Sequence, residues 1–134
     1  MIPIDLEVLS RAYLACPYSH PDHEMREMRV TLADKIAGEL MLMGFQVFSP
    51  LTHSHRVAKH IADKVCACDH DFWLTQDKPF FEACDIMFIL TLAGWRESKG
   101  IKTEMEWANK YEMPIVLVHI DDNLNIVGME RHEY

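Results

Sequence analysis

Two carboxylates stand where acid and base chemistry becomes possible. Glu104 follows Ser98 by six residues and Gly100 by four, inside the first turns of a helix that the pattern places from about Ile101 to Tyr111. A carboxylate there looks toward whatever the helix N-terminus faces, although Glu104 and Glu106 also do no more than complement the positive end of the helix dipole. Asp77 stands beside Pro79, and Asp85 immediately precedes the most hydrophobic run of the chain; either also serves as a cap or turn residue. Of the histidines, His53 and His55 occupy a polar stretch suited to ligand contact or to plain solvation. Cys66, Cys68 and His70 have metal-ligating side chains, but residues two apart on a helix diverge and no second Cys pair exists to close a tetrahedral site. Cys16 lies near His20 and His23, yet nothing basic is placed to generate a thiolate, and a packed thiol is the expectation. Neither a GxGxxG nor a GxxxxGK[ST] loop occurs.

These side chains must be held by elements that the apolar pattern outlines. Arg11 to Cys16 reads as a buried strand, and Met25, Met28, Leu32, Ile36, Leu40 and Met43 then trace a long amphipathic helix that stops at Gly44. Phe45 to Ser49 reads as a second strand ending at Pro50, so the first unit is βαβ. A weaker helix through Val57, Ile61 and Val65 follows the histidines. Pro79 then splits the next segment into two short helices meeting near Gln76 to Pro79, the second directing Phe80 and Phe81 inward. Ile86 to Leu92 is the expected central strand, and Ile115 to Ile120 a fourth strand before a polar tail. Strands alternating with helices imply a parallel sheet covered on both faces, with ligands beyond the carboxyl ends of its strands. That edge selects Cys16 to His23, Ser49 to Arg56 and Thr91 to Glu104.

Composition bounds the partners. A chain of 134 residues with 49% hydrophobic residues is one ordinary globular domain, spanning residues 1–134. With 13 Lys and Arg against 21 Asp and Glu, its net charge of −8 argues against a nucleic-acid polymer, while a small anion at a helix N-terminus stays open. The start, MIPIDLEVLS, lacks a basic region and no apolar run reaches membrane-spanning length, so a cytoplasmic protein with mostly reduced cysteines is expected.

Four segments in register carry a resemblance. Tyr13-Leu-Ala-Cys-Pro-Tyr-Ser19, Gly44-Phe-Gln-Val-Phe-Ser-Pro50, Asp77 eight residues before Cys84-Asp85, and Ser98-x-Gly100-x-x-x-Glu104-x-x-x-Ala108 resemble, in order, the motifs of the nucleoside 2-deoxyribosyltransferase superfamily, which includes the deoxynucleoside 5'-monophosphate N-glycosidases. Cys16 replaces the usual glycine of the first motif, and the loop holding Gly94-Trp95-Arg96 departs from the family's commoner turn; this variant resembles a bacterial and phage branch of unknown function.

The resemblance implies a single three-layer α/β domain of flavodoxin-like or Rossmann-like type, with a parallel sheet of four to five strands. It implies N-glycosidic bond cleavage or transfer on a nucleoside or nucleotide, without a cofactor or metal. Glu104 is then the nucleophile, Asp77 the acid that protonates the departing base, and Tyr13 the donor that holds Glu104 ionised. Ser98, Gly100 and Arg96 suit a 5'-phosphate, with Pro17, His53 and Trp95 as further substrate contacts and Tyr18 or Phe48 as alternative surfaces for the base. It implies also a homodimer or homotetramer in which the tail near Asn123, Asn125 and Met129 completes a neighbouring site. Two other readings are a non-catalytic nucleotide-binding sensor of the same fold and a metal-dependent hydrolase using His53 and His55.

Overall fold

A computed structural model describes residues 10–133. The strands are β1 (Arg11–Ala15), β2 (Gln46–Phe48), β3 (Ile86–Leu90), β4 (Ile115–Ile120) and β5 (Ile126–His132). The helices are α1 (His23–Leu42), α2 (Pro50–His60), α3 (His70–Glu82) and α4 (Lys99–Lys110), with one 3₁₀ turn at Trp95–Glu97. One sheet results, in the order β2-β1-β3-β4-β5, its first four strands parallel and β5 antiparallel to β4. The mixed α/β fold expected from the sequence is therefore present, with one antiparallel strand added at the edge.

The two-residue period of a strand sorts the core. Ala12, Leu14, Phe88, Leu90, Val116 and Val118 face α1, where they meet Leu32, Ile36, Ala37 and Leu40. Tyr13, Ala15, Met87, Ile89, Ile115 and Leu117 face the other way, against Phe81 of α3, Ile101 and Ala108 of α4, and Trp95. Every residue of β3 is buried, as a strand covered on both faces requires. Asp22 caps α1 by accepting the Glu24 N–H, and Gly44, at φ 105, makes the left-handed turn into β2.

Three expectations are corrected. The polar tail is a strand: Asp121 Oδ1 accepts the N–H groups of Asn123 and Asn125, closing the turn that returns β5 along β4. An edge strand needs only one buried side chain to be anchored, and here Met129 supplies it at 7% exposure, so Met129 belongs to its own core instead of reaching toward a neighbour. Asn125 likewise accepts from Lys35 of α1. The segment Ser49–His60 is a helix from its start, because Ser49 accepts the Thr52 N–H and Pro50 occupies the first turn, where its missing N–H costs nothing. Its last residue is His60, and Val57 is exposed. Finally, α3 runs unbroken through Pro79. His70, Trp73, Leu74, Asp77 and Phe81 form one stripe along it, and a proline in the last turn removes a single ladder bond. Phe81 is buried, whereas Phe80 is 48% exposed and stacks on Phe48.

The placement of Met129 is testable. Met129→Ala is expected to lower the unfolding free energy by ~2–4 kcal/mol in chemical denaturation, independently of protein concentration; a residue serving only a neighbour's site would leave the monomer's stability unchanged.

Candidate active site

β1 and β3 are neighbours whose outgoing connections leave on opposite faces of the sheet, since α1 covers one face and α4 the other. Such a switch point opens a crevice beyond the carboxyl ends of the two strands, and a cavity of about 120 Å³ lies there. Single stripes of three helices wall it: Leu51, Ser54, His55 and Ala58 from α2, His70, Trp73, Leu74 and Asp77 from α3, and Gly100, Ile101 and Glu104 from α4 with its cap Ser98. The spacings of three and four put each set on one helix face. α2 buries no residue in the main core, and its inward face is given to the cavity instead.

The two carboxyls meet in that cavity, and Tyr13 joins them from below. Its odd position on β1 turns its ring to the α4 side of the sheet, where it packs edge-on against Phe81, and its hydroxyl donates to Glu104 Oε2. Glu104 is 7% exposed and Asp77 8%. Burial pushes the Glu104 carboxyl up to about 8; the Tyr13 hydrogen bond opposes that rise and the negative charge of Asp77 adds to it. Asp77 is raised to about 6 by desolvation alone, and its carboxyl has no hydrogen-bond partner among the described residues. The Tyr13 hydroxyl is itself held well above its ordinary value, first by burial and then by Glu104, so it remains a donor.

The remaining walls are tied down by hydrogen bonds from α1 and α2. Tyr18 bonds His55 Nδ1 at 3.0 Å, and His55 Nε2 bonds Glu27 Oε1 at 3.0 Å. Buried Arg29 donates to the carbonyls of Ser19 and Ala93, fastening the loop after β1 to the loop after β3. Ser98 Oγ accepts the Ile101 N–H and so caps α4 at the cavity wall.

Of the residues expected in a site, Glu104, Asp77, Ser98 and Gly100 come together, with Tyr13 bonded to Glu104. Four others do not line the cavity. His53 is exposed and packs near Phe48 and Phe80; two residues along a helix turn by about 200°, so it faces away from the side of His55, which takes the inner position. Trp95 is a core residue at 9% exposure, and Arg96 stacks on its ring at 4.8 Å from the centroid. Pro17 is buried behind the loop. Tyr18, one of the alternative surfaces for the base, lines the cavity, whereas the wall supplied by Trp73 and His70 was missed; a stripe at 70, 73, 74 and 77 was the available signal, hidden by the break placed at Pro79.

The cysteines divide. Cys16 lines the cavity, but burial pushes its thiol up to about 12, which leaves no thiolate for nucleophilic attack. Cys66 and Cys68 form a disulfide across a tight turn, their Cα atoms 5.0 Å apart, in place of the expected reduced pair. Among the described residues no three His, Cys, Asp or Glu side chains converge as metal ligands, and no helix is long and apolar enough to cross a membrane.

Fold and crevice together define a mixed α/β domain with a candidate ligand site at the switch point of its sheet. Its structure is similar to the 2-deoxyribosyltransferase from the psychrotolerant bacterium Bacillus psychrosaccharolyticus, with a TM-score of 0.55 and 19% identity over 82% of this chain and 72% of that one. The chain belongs to the family described as domain of unknown function DUF1937, whose model matches residues 10–120. No curated protein matches it.

The raised Glu104 carboxyl sets a stability prediction. A carboxyl at about 8 in the folded chain, against an ordinary 4.5, binds its proton more tightly when folded, so stability is lost as pH rises from about 4.5 through 8. Glu104→Gln removes this loss while keeping an acceptor for Tyr13. The variant is expected to match the wild type near pH 5 and to exceed it by a few kcal/mol, on the order of one per pH unit crossed, near pH 8 in denaturant titrations. A difference that stays constant with pH contradicts the assignment.

Proposed function

We propose that this protein breaks the N-glycosidic bond of a nucleoside or nucleotide, with water ahead of a second base as the acceptor. The observation that carries the reading is the buried Glu104 carboxyl, bonded by Tyr13, in one cavity with Asp77 at the switch point of the sheet. The likeness of fold to a deoxyribosyltransferase supports it.

In this mechanism a Glu104 oxygen attacks the anomeric carbon as the carbon–nitrogen bond breaks. Asp77 gives its proton to the departing base, and the sugar remains as an ester of Glu104. Asp77, now ionised, takes a proton from water, the resulting oxygen attacks the same carbon, and Glu104 is released. The mechanism uses residues of this chain alone and needs no cofactor.

One ionised and one protonated carboxyl are needed at the start. With values near 6 and 8, the pair holds a single proton between those limits. In the empty cavity the deeper burial of Glu104 draws that proton to it. The positive charge that develops on the sugar, with the Tyr13 O–H, favours the Glu104 anion and moves the proton to Asp77, beside the leaving base. Below about 6 both carboxyls are protonated and the nucleophile is lost; above about 8 both are ionised and the acid is lost.

Two outcomes check this. Base release from a panel of ribo- and deoxyribonucleosides and their 5'-monophosphates, followed by chromatography, is expected to fall by about 10³-fold or more in Glu104→Ala. Full activity in that variant rejects the mechanism, and ligand binding without release from any member turns the reading into that of a sensor. The pH profile of kcat/KM for the wild type is expected to be a bell with limbs near 6 and 8, its alkaline limb lost in Asp77→Asn, which removes the acid. A profile flat from pH 5 to 9 contradicts the shared proton.

A further inference from the structure

The cavity at the carboxyls does not stand alone. A second cavity of about 470 Å³ adjoins it, and the two share Tyr18, Ser19 and Ala67 as a common wall. The inner chamber, at about 120 Å³, is smaller than the roughly 300–1,000 Å³ of pockets that enclose small organic ligands. A ligand whose reacting carbon lies at Glu104 therefore extends beyond it, and the larger chamber past Tyr18 lies next to it.

The two chambers differ in charge. The inner one holds Glu104 and Asp77, whereas the outer one is lined by His20, Pro21, Arg26 and the Cys66–Cys68 turn besides the shared wall, with no carboxylate. In a chain of net charge −8 a pocket with one arginine and no acid is a departure from the average surface. Arg26 has no carboxylate partner among the described residues: it donates to the His20 carbonyl at 2.5 Å and makes a long 3.5 Å contact with His23 Nδ1. Its charge acts on the Tyr18 hydroxyl at the junction, opposing the rise that burial imposes there. His20 Nδ1 accepts the Asp22 N–H at 3.0 Å, which leaves its other ring nitrogen as the N–H donor.

We propose that the outer chamber is an anion subsite in which Arg26 and His20 receive the phosphate of the ligand whose sugar lies at Glu104, making the substrate class a nucleotide. The proposal rests on the reading of the inner chamber as a glycosidic site and adds where the phosphate goes. It departs from the placement at Arg96, whose guanidinium is stacked on Trp95 and does not line either cavity. A guanidinium offers paired N–H donors to phosphate oxygens, and Arg26 has donors to spare.

The test is binding without turnover. Calorimetric titration of Glu104→Gln with common nucleosides and their 5'-monophosphates is expected to give a monophosphate preference of about tenfold or more for at least one base. Adding Arg26→Met is expected to reduce that preference to about twofold or less by weakening the monophosphate, and Arg26→Lys to retain part of it. Circular dichroism and melting of each variant check that the fold is kept.

An unchanged preference in Arg26→Met places the phosphate elsewhere and overturns the proposal. An equal loss for nucleoside and monophosphate overturns it too, since it leaves Arg26 only the task of holding the loop through the His20 carbonyl. The proposal also fails if free phosphate, added with a nucleoside, is consumed to give a sugar 1-phosphate in the wild type, because the anion would then be an acceptor and not part of the ligand. Absence of binding by every member rejects the glycosidic reading itself, a result distinct from a phosphate preference that ignores Arg26.

Discussion

A carboxyl taken out of water and left beside another carboxyl is the constraint from which much of this structure follows. Burial of Glu104 opposes its ionisation, Asp77 adds to that opposition, and one hydrogen bond from Tyr13 works against both. That bond requires a tyrosine on the α4 side of the sheet, within reach of the second turn of α4. β1 meets the requirement because its residues alternate between faces, and α4 meets it because Ser98 starts the helix at the crevice. The same burial that raises both carboxyls keeps a proton between them at neutral pH, so in the proposed mechanism the feature that costs stability is the one that supplies an acid and a nucleophile together.

The helices around the crevice divide their labour accordingly. α1 packs the far side of the sheet with Leu32, Ile36, Ala37 and Leu40, and its arginines reach round to hold the loop after β1, Arg29 through Ser19 and Arg26 through His20. α3 and α4 pack the near side with Phe81, Ile101 and Ala108 while turning Asp77 and Glu104 to the cavity. α2 is nearly all wall. Its tie to the rest runs through Thr52, which donates to Asp34 of α1, and through His55, held between Tyr18 and Glu27.

Much of the fold was legible in the sequence because its signals were long or saturated: β3 is apolar throughout, and α1 repeats its apolar residues over five turns. What was not legible has local causes. The edge strand β5 buries Met129 and little else, so its residues carry no apolar run. α2 shows no core stripe because its inward face is a cavity wall, and its Ser-Pro start was the cue for a helix. Pro79 suggested a break that the continuous stripe from His70 to Phe81 overrides. At the site, the spacing from Ser98 to Glu104 and the position of Asp77 led to residues that do share a cavity. Trp95 and Arg96 did not follow, since the 3₁₀ turn after β3 folds Trp95 into the core and lays Arg96 across it. The choice between His53 and His55 turned on helix phase, which a loop assignment does not contain.

Product stereochemistry reads directly whether Glu104 forms a bond to the sugar. When methanol competes with water as the acceptor, the methyl glycoside keeps the configuration set at the moment of transfer. Two displacements, the first by Glu104, predict a methyl glycoside with the anomeric configuration of the substrate, identified by proton NMR. An inverted glycoside would mean that solvent attacks directly and that Glu104 never carries the sugar.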